Sequence, residues 1–180
     1  MEFKQVREGV FTVDDVLSAS ECDALMQATE AIGYGAAPIT TAVGPIMAPD
    51  IRNNTRVMID DRKRAAWLWP RLAPWIPKAE GTELVGLNER FRYYRYQPGQ
   101  FFNWHHDGAF RRTLREWSTL TLMVYLNGDM VGGHTEFQGG VSVAPKSGMA
   151  LVFDHGIRHR GAPVKTGTKY VLRTDVMVRR

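Results

Sequence analysis

Leu120-Thr121-Leu122-Met123-Val124-Tyr125-Leu126-Asn127-Gly128 is the stretch that decides the fold class. A run this rich in β-formers, closed by Asn-Gly, reads as a long strand ending in a tight turn. Reading forward, short strands follow at Thr135-Glu136-Phe137, Val141-Ser142-Val143, Met149 to Phe153 and Tyr170 to Val178, parted by Gly132-Gly133, Gly139-Gly140, Gly148 and Gly167. Reading back, Phe91 to Tyr96 and Phe101 to Trp104 are further strands on either side of the Pro98-Gly99 turn. Many short strands with regular turns predict a β-sandwich or barrel.

The N-terminal part reads differently. Phe11 to Leu17 is a strand and turn, and Ser18-Ala19-Ser20-Glu21 has capping-box spacing ahead of a helix from about Ala19 to Ala31, ended by Gly33 and Gly35. Arg56 to Ile59 is a candidate strand, and Asp60 or Asp61 is placed to cap a second helix through Leu72. Pro70 predicts a break in that helix near Trp69. Trp67, Trp69 and Trp75 are read as packing residues over the sheet. The expected organisation is one domain over 1–180, with 1–88 as a helical and mixed support and 89–180 as the β-rich core.

With 180 residues, 44% hydrophobic and 23% charged, the chain suits a globular protein with a sizeable core. It has no apolar run of the ~18 residues that a membrane helix needs, and Met1 to Gln5 lacks the apolar core of a secretion signal. The lone Cys22 cannot form an internal disulfide, so a cytoplasmic setting is expected. The net charge of +4 is read as spread over the surface rather than as a nucleic-acid footprint, although Arg111, Arg112 and Arg115 form a small group.

All five histidines (His105, His106, His134, His155 and His159) lie in the C-terminal half. Imidazole is the commonest side chain for transition-metal ligation. On an extended backbone, residues two apart share a face, so His105 and Asp107 can grip one ion while His106 points away. A distant third ligand completes a facial triad, which leaves the remaining positions of an octahedral iron open. His155 and His159 both qualify as that ligand. Lys169, ten residues after His159, offers a compact cation for a carboxylate.

These pieces together resemble the prolyl 4-hydroxylase-like branch of the 2-oxoglutarate/Fe(II) dioxygenases. The resemblance rests on Tyr96-Gln97-Pro98-Gly99-Gln100-Phe101-Phe102, His105-x-Asp107, Thr121 to Asn127, Gly132-Gly133-His134-Thr135-Glu136-Phe137, Pro145-x-x-Gly148-x-Ala150-Leu151-x-Phe153, and His159 with Pro163-Val164-x-x-Gly167-x-Lys169. It implies a mainly β fold with N-terminal helices, the double-stranded β-helix or cupin-like jelly roll. It makes His105, Asp107 and His159 the iron ligands, because the family's lysine follows its distal ligand at the spacing of Lys169 from His159. Lys169, Tyr96 and Thr121 are then the contacts to the distal carboxylate of 2-oxoglutarate.

The implied cofactors are Fe(II) and 2-oxoglutarate, with ascorbate as an accessory reductant. The implied reaction consumes O2 and hydroxylates an unactivated C–H bond, releasing succinate and carbon dioxide. A prolyl residue of a peptide is the family-level substrate, with a free amino acid or small metabolite as the alternative. A metal-binding or nucleic-acid-associated jelly-roll module without turnover is the competing class. Arg52, Asn54, Arg56, Arg112 and Trp117 are candidate substrate contacts. The chain departs from the family pattern in two places. His134 stands where Glu is usual, and Arg173-Thr174-Asp175 replaces an aromatic position, so Arg173 is read either as a second anion contact or as a structural ion pair.

Overall fold

The computed structural model describes residues 1–41, 43–78 and 80–180. In chain order the elements are β1 (Phe3–Arg7), β2 (Val10–Val13), α1 (Ala19–Ile32), β3 (Gly35–Ala36), β4 (Ile39–Thr41), β5 (Gly44–Ile46), β6 (Thr55–Asp60) and α2 (Arg62–Leu72). A 3-10 turn (Ala73–Trp75) leads to β7 (Glu83–Leu87), β8 (Arg90–Tyr96), β9 (Phe102–His105) and β10 (Glu116–Tyr125). The rest are β11 (Val131–Gly132), β12 (Thr135–Phe137), β13 (Val141–Val143), β14 (Ala150–Asp154), β15 (His159–Gly161), β16 (Val164–Thr166) and β17 (Lys169–Arg179).

The major sheet has nine strands in the order β1-β2-β14-β10-β17-β8-β6-β3, with β7 paired to the far end of β17. Facing it is a four-stranded sheet, β13-β12-β15-β9. The fold is the double-stranded β-helix, with its helices on the outer face of the major sheet.

Strand alternation divides the interior. On β10, Leu120, Leu122 and Val124 pack into the helix-side core, while Met123 and Tyr125 point between the sheets. On β8, Phe91 and Tyr93 face the helices, and Tyr94 and Tyr96 face inward. The same parity puts Lys169, Val171, Arg173 and Asp175 of β17 on the inner face, because side chains two apart share a face. The polar members of that series sit beside the site described below.

The helices close the outer face. Ser18 accepts a hydrogen bond from the Glu21 N–H, and the Glu21 carboxylate accepts one from the Ser18 N–H, completing the capping box of α1. Cys22, Leu25 and Thr29 are its buried stripe, and Gly33 ends it at φ 89°. Glu21 also takes both Arg71 guanidinium nitrogens at 2.8 Å, tying α1 to α2. Asp61 caps α2 by accepting from the Arg64 N–H.

The break expected near Trp69 does not occur: α2 continues through Pro70 to Leu72. Proline removes one donor and crowds one preceding carbonyl. Here it falls in the last turn, and the flanking Leu68 and Leu72 are both fully buried and hold the segment in place. Trp69 and Trp75 pack against the helix-side core, as expected. Trp67 is exposed and lies over the Arg71 guanidinium instead. No helix among the described residues is long and apolar enough to cross a membrane.

Candidate metal centre and co-substrate pocket

β9 and β15 lie antiparallel in the smaller sheet, with His159 directly opposite His105. That register alone brings together two imidazoles 54 residues apart in the chain. Asp107 follows just beyond β9, where its N–H donates to the His155 carbonyl. One nitrogen from each histidine and one Asp107 oxygen all lie within 4.8 Å of one another. His105 Nε2 is 3.8 Å from Asp107 Oδ1, and His159 Nε2 is 3.7 Å from Asp107 Oδ2. An ion ~2.1 Å from each ligand atom fits between them.

The tautomers suit ligation. His105 Nδ1 lies 2.7 Å from the Asn103 carbonyl and His159 Nδ1 lies 3.0 Å from the Ile157 carbonyl. A carbonyl only accepts, so each Nδ1 carries the proton and each Nε2 keeps its lone pair for a metal. Burial, helped by the neighbouring His159, pushes the His105 imidazole down to about 4. Burial lowers His159 too, against the pull of Asp107. Both rings are therefore neutral near pH 7, the form that binds metal. Phe102 stacks on His105 at 3.5 Å, and Phe153 meets His159 edge-on at 4.5 Å, which fixes both ring planes.

Asp107 is held as an anion. Burial works against its charge, but Arg173, His159, His105 and Thr121 together keep its carboxyl well below the usual range. Arg173 Nη2 lies 3.2 Å from Asp107 Oδ2 and 3.0 Å from Asp175 Oδ1. Thr121 donates its hydroxyl proton to Asp107 Oδ2, and its oxygen lies 2.9 Å from His155 Nδ1. His155 Nε2 in turn meets Ser118 Oγ at 2.8 Å. Both nitrogens of His155 are thus engaged away from the metal position, and the pairing with His105 falls to His159.

Next to the triad, Lys169 of β17 lies opposite Tyr96 of β8. Its ammonium donates to the Gly133 carbonyl and sits 5.3 Å from the ring centres of both Tyr96 and Tyr125. Burial pulls this amine down to about 7. The small cavity here, about 30 Å³, is lined by Tyr94, Tyr96, Lys169 and Arg173 together with the triad. A much larger surface cleft, about 590 Å³, lies elsewhere, against α2 and β7. It contains no histidine, and its acids Glu89 and Glu116 are paired with Arg112.

Residues 91–174 match the family model of the 2OG-Fe(II) oxygenase superfamily. Over that span, just under half of its length, the chain is similar to the 2OG-Fe(II) oxygenase superfamily. A putative prolyl 4-hydroxylase of Acanthamoeba polyphaga mimivirus is 31% identical over 103 residues, a match covering 46% of this chain and 42% of that protein. The chain thus spans under half the length of that relative. Among solved structures, the viral collagen prolyl hydroxylase of Paramecium bursaria Chlorella virus-1, in complex with 2OG, superposes with a TM-score of 0.64 at 21% identity, covering 96% of this chain and 97% of that one. A Pseudomonas putida prolyl-4-hydroxylase gives a TM-score of 0.70 at 23% identity, covering 96% and 93%.

The family whose model matches is named for Fe(II) and 2-oxoglutarate, and the donor set here suits both. Two imidazoles with free Nε2 lone pairs and one carboxylate form the facial set that holds non-haem Fe(II). A buried cation with no carboxylate partner among the described residues, Lys169, is suited to the far carboxylate of a dicarboxylate.

Sequence reasoning placed His105, Asp107, His159, Lys169 and Tyr96 around one cavity, and the oxygenase fold brings all five there. Thr121 is placed differently: it is fully buried, does not line the cavity, and its hydroxyl is directed at Asp107. His106 is exposed, and His134 bonds Ser142 Oγ at 3.1 Å, outside the triad. Arg112 is occupied by Glu89 and Glu116. Arg52 and Asn54 are buried beside the cavity's aromatic wall. Tyr94 was not anticipated as a lining residue, although its place two before Tyr96 on β8 puts it on the same inner face.

Proposed function

We propose that the protein is a Fe(II)- and 2-oxoglutarate-dependent dioxygenase that hydroxylates an unactivated C–H bond, with a prolyl residue of a peptide as the first substrate class to test. The observation that carries this reading is the convergence of the His105, Asp107 and His159 ligand atoms within 4.8 Å, beside the buried Lys169. With O2 as the oxidant, bound Fe(II) and 2-oxoglutarate would supply the chemistry of C–H hydroxylation, one oxygen atom going to the substrate hydroxyl and the other to succinate, with release of carbon dioxide.

The protein's own residues bind, orient and exclude water. His105, Asp107 and His159 present three ligands on one face of the ion and leave the other face free for reactants. Lys169 exchanges its carbonyl partner for the distal carboxylate of 2-oxoglutarate, and Tyr96 across the strand borders the same pocket. Thr121 acts on the iron indirectly, by fixing the Asp107 carboxylate, in place of the direct co-substrate contact read from the sequence. Phe102, Phe153 and Phe137 line the imidazoles with apolar surface that keeps water from the ligands. The buried Arg173 keeps Asp107 ionised with or without a metal.

The test is succinate release from purified protein given iron, 2-oxoglutarate and oxygen, with and without prolyl peptides. Stimulation by a peptide, lost in His105→Ala and Asp107→Ala, supports the reading. Undiminished succinate release in either variant would contradict the ligand assignment. Absence of any turnover, with metal still bound, would favour the non-catalytic jelly-roll alternative. The chemical class of prolyl peptide rests on the names carried by the similar proteins, of which the mimivirus one is a putative prolyl 4-hydroxylase.

A further inference from the structure

Four arginines surround Tyr94, a tyrosine of the cavity wall; Arg173 lines the cavity itself and Arg52 packs behind the wall. Arg52 stacks its guanidinium between two rings, 4.5 Å from Tyr94 and 4.4 Å from Phe102. Phe102 is itself stacked on the metal ligand His105. Arg56 of β6 lies opposite Tyr94 in register, and Arg92 and Arg173 are opposite each other on β8 and β17. The Tyr94 phenol is lowered despite its burial, because Arg52, Arg173 and Arg92 all favour its anion.

The counter-charge is on one side only. Asp107 and Asp175 serve Arg173, and Asp175 lies 3.6 Å from Arg92. Arg52 is only 4% exposed, and its polar partner is the neutral Asn54 side chain at 2.7 Å. Among the described residues, Arg52 Nη2 and Arg92 Nη1 are buried side-chain nitrogens with no hydrogen-bond partner. A buried guanidinium with neither counter-ion nor full hydrogen bonding is strongly disfavoured unless a ligand completes it.

Arg52 is not on a loose loop. Its neighbours are pinned to the metal-bearing strand: Asn103 N–H donates to the Ile51 carbonyl at 2.8 Å, and Phe101 N–H to Asn53 Oδ1 at 2.8 Å. The guanidinium is therefore held in place before any ligand arrives, which lowers the cost of binding. Arginine's planar fork matches a carboxylate in two-point contact.

We propose that the substrate carries a carboxylate close to the carbon that is oxidised, and that Arg52 receives it beside Tyr94. This rests on the oxygenase reading and narrows it, from prolyl peptides in general to acids such as a free amino acid or a chain-terminal residue.

The experiment uses the full chain loaded with Mn(II) in place of iron and saturated with 2-oxoglutarate, so that Lys169 is already engaged. N-acetylproline and N-acetylprolinamide are titrated in by ligand-observed NMR, as are the corresponding alanine pair. We expect each acid to bind at least about tenfold tighter than its amide, the scale of one charge-assisted contact. Arg52→Gln should collapse that ratio to under about twofold, and Arg52→Lys, which keeps charge but not the fork, should fall between.

Equal binding of acid and amide to the unaltered protein, or no binding of either acid at millimolar concentration, overturns the proposal. So does an acid preference that survives in Arg52→Gln, provided its circular dichroism matches the parent. If 2-oxoglutarate itself fails to bind in the same samples, the oxygenase reading fails, and the acid-against-amide ratio still decides the carboxylate site.

Discussion

Arg173 Nη2 bridges two carboxylates from different parts of the chain, 3.2 Å from Asp107 Oδ2 and 3.0 Å from Asp175 Oδ1. Asp175 is 1% exposed and Arg173 is 7% exposed. Removing one partner of such a buried set leaves uncompensated charge and costs about 3–5 kcal/mol. Arg173→Met is therefore expected to lower the unfolding free energy by about that amount, measured by urea denaturation of the metal-free protein. A loss under about 1 kcal/mol would mean that water already screens the pair.

Thr121 links Asp107, a proposed metal ligand, to the His155–Ser118 chain. Its removal should be felt at the metal without touching it. Thr121→Val keeps the shape and deletes the hydroxyl, so Fe(II) or Mn(II) affinity should fall about 10- to 100-fold, the usual effect of losing a group that orients a metal ligand. Competition with a chelating dye measures this directly. Thr121→Ser restores the donor and should recover most of the affinity. If instead metal binding is unchanged and only the KM for 2-oxoglutarate rises, Thr121 contacts the co-substrate after all.

That outcome bears on what the sequence made readable. The long core strands β8, β10, β14 and β17 were legible because each is rich in β-formers and bounded by turns, whereas β1, β7, β15 and β16, short or charged, were not read, and α1 was legible because Ser18 and Glu21 sit at cap spacing. The triad could be read because His-x-Asp and the His159-to-Lys169 spacing are local patterns. The partnerships behind the triad could not. Thr121, His155, Arg173 and Arg52 meet the site only through the registers of β10 against β17 and β14, and of residue 52 against β9. A one-dimensional pattern gives the face a residue occupies, not the neighbour across the strand. Pro70 misled for the opposite reason: a local rule was overridden by the burial of Leu68 and Leu72.

Gly133 provides a steric test of the lysine. Its carbonyl holds Lys169, its φ is +67°, and an added Cβ would lie 3.1 Å from both Lys169 Cδ and Val164 Cγ2. Gly133→Ala should therefore be destabilised by left-handed strain of about 1–2 kcal/mol and should also weaken 2-oxoglutarate binding by displacing the ammonium. Gly140→Ala is the control: its φ is +92°, but no neighbour lies within 4 Å of the added carbon. It should lose stability alone. Equal 2-oxoglutarate affinity in the two variants would separate Lys169 from the co-substrate.

Burial brings the Lys169 amine down to about 7 in the free protein, whereas the exposed amine of the unfolded chain titrates near the ordinary lysine value of 10.5. Between those values the unfolded chain binds more protons than the folded one, so stability contributed through Lys169 rises as pH rises across that window. Below about 7 the amine is charged in both states and the full burial penalty is present. Lys169→Met should flatten this rise in the metal-free protein. Co-substrate binding has the opposite sign, because a dicarboxylate restores the ammonium. At pH 8 the binding of 2-oxoglutarate should take up close to one proton, seen by calorimetry in buffers of different ionisation enthalpy, and affinity should fall as pH rises further. At pH 6 the uptake should vanish, since the amine already carries its proton. Proton uptake that is the same at both pH values, or persists in Lys169→Met, would assign the distal carboxylate to another residue.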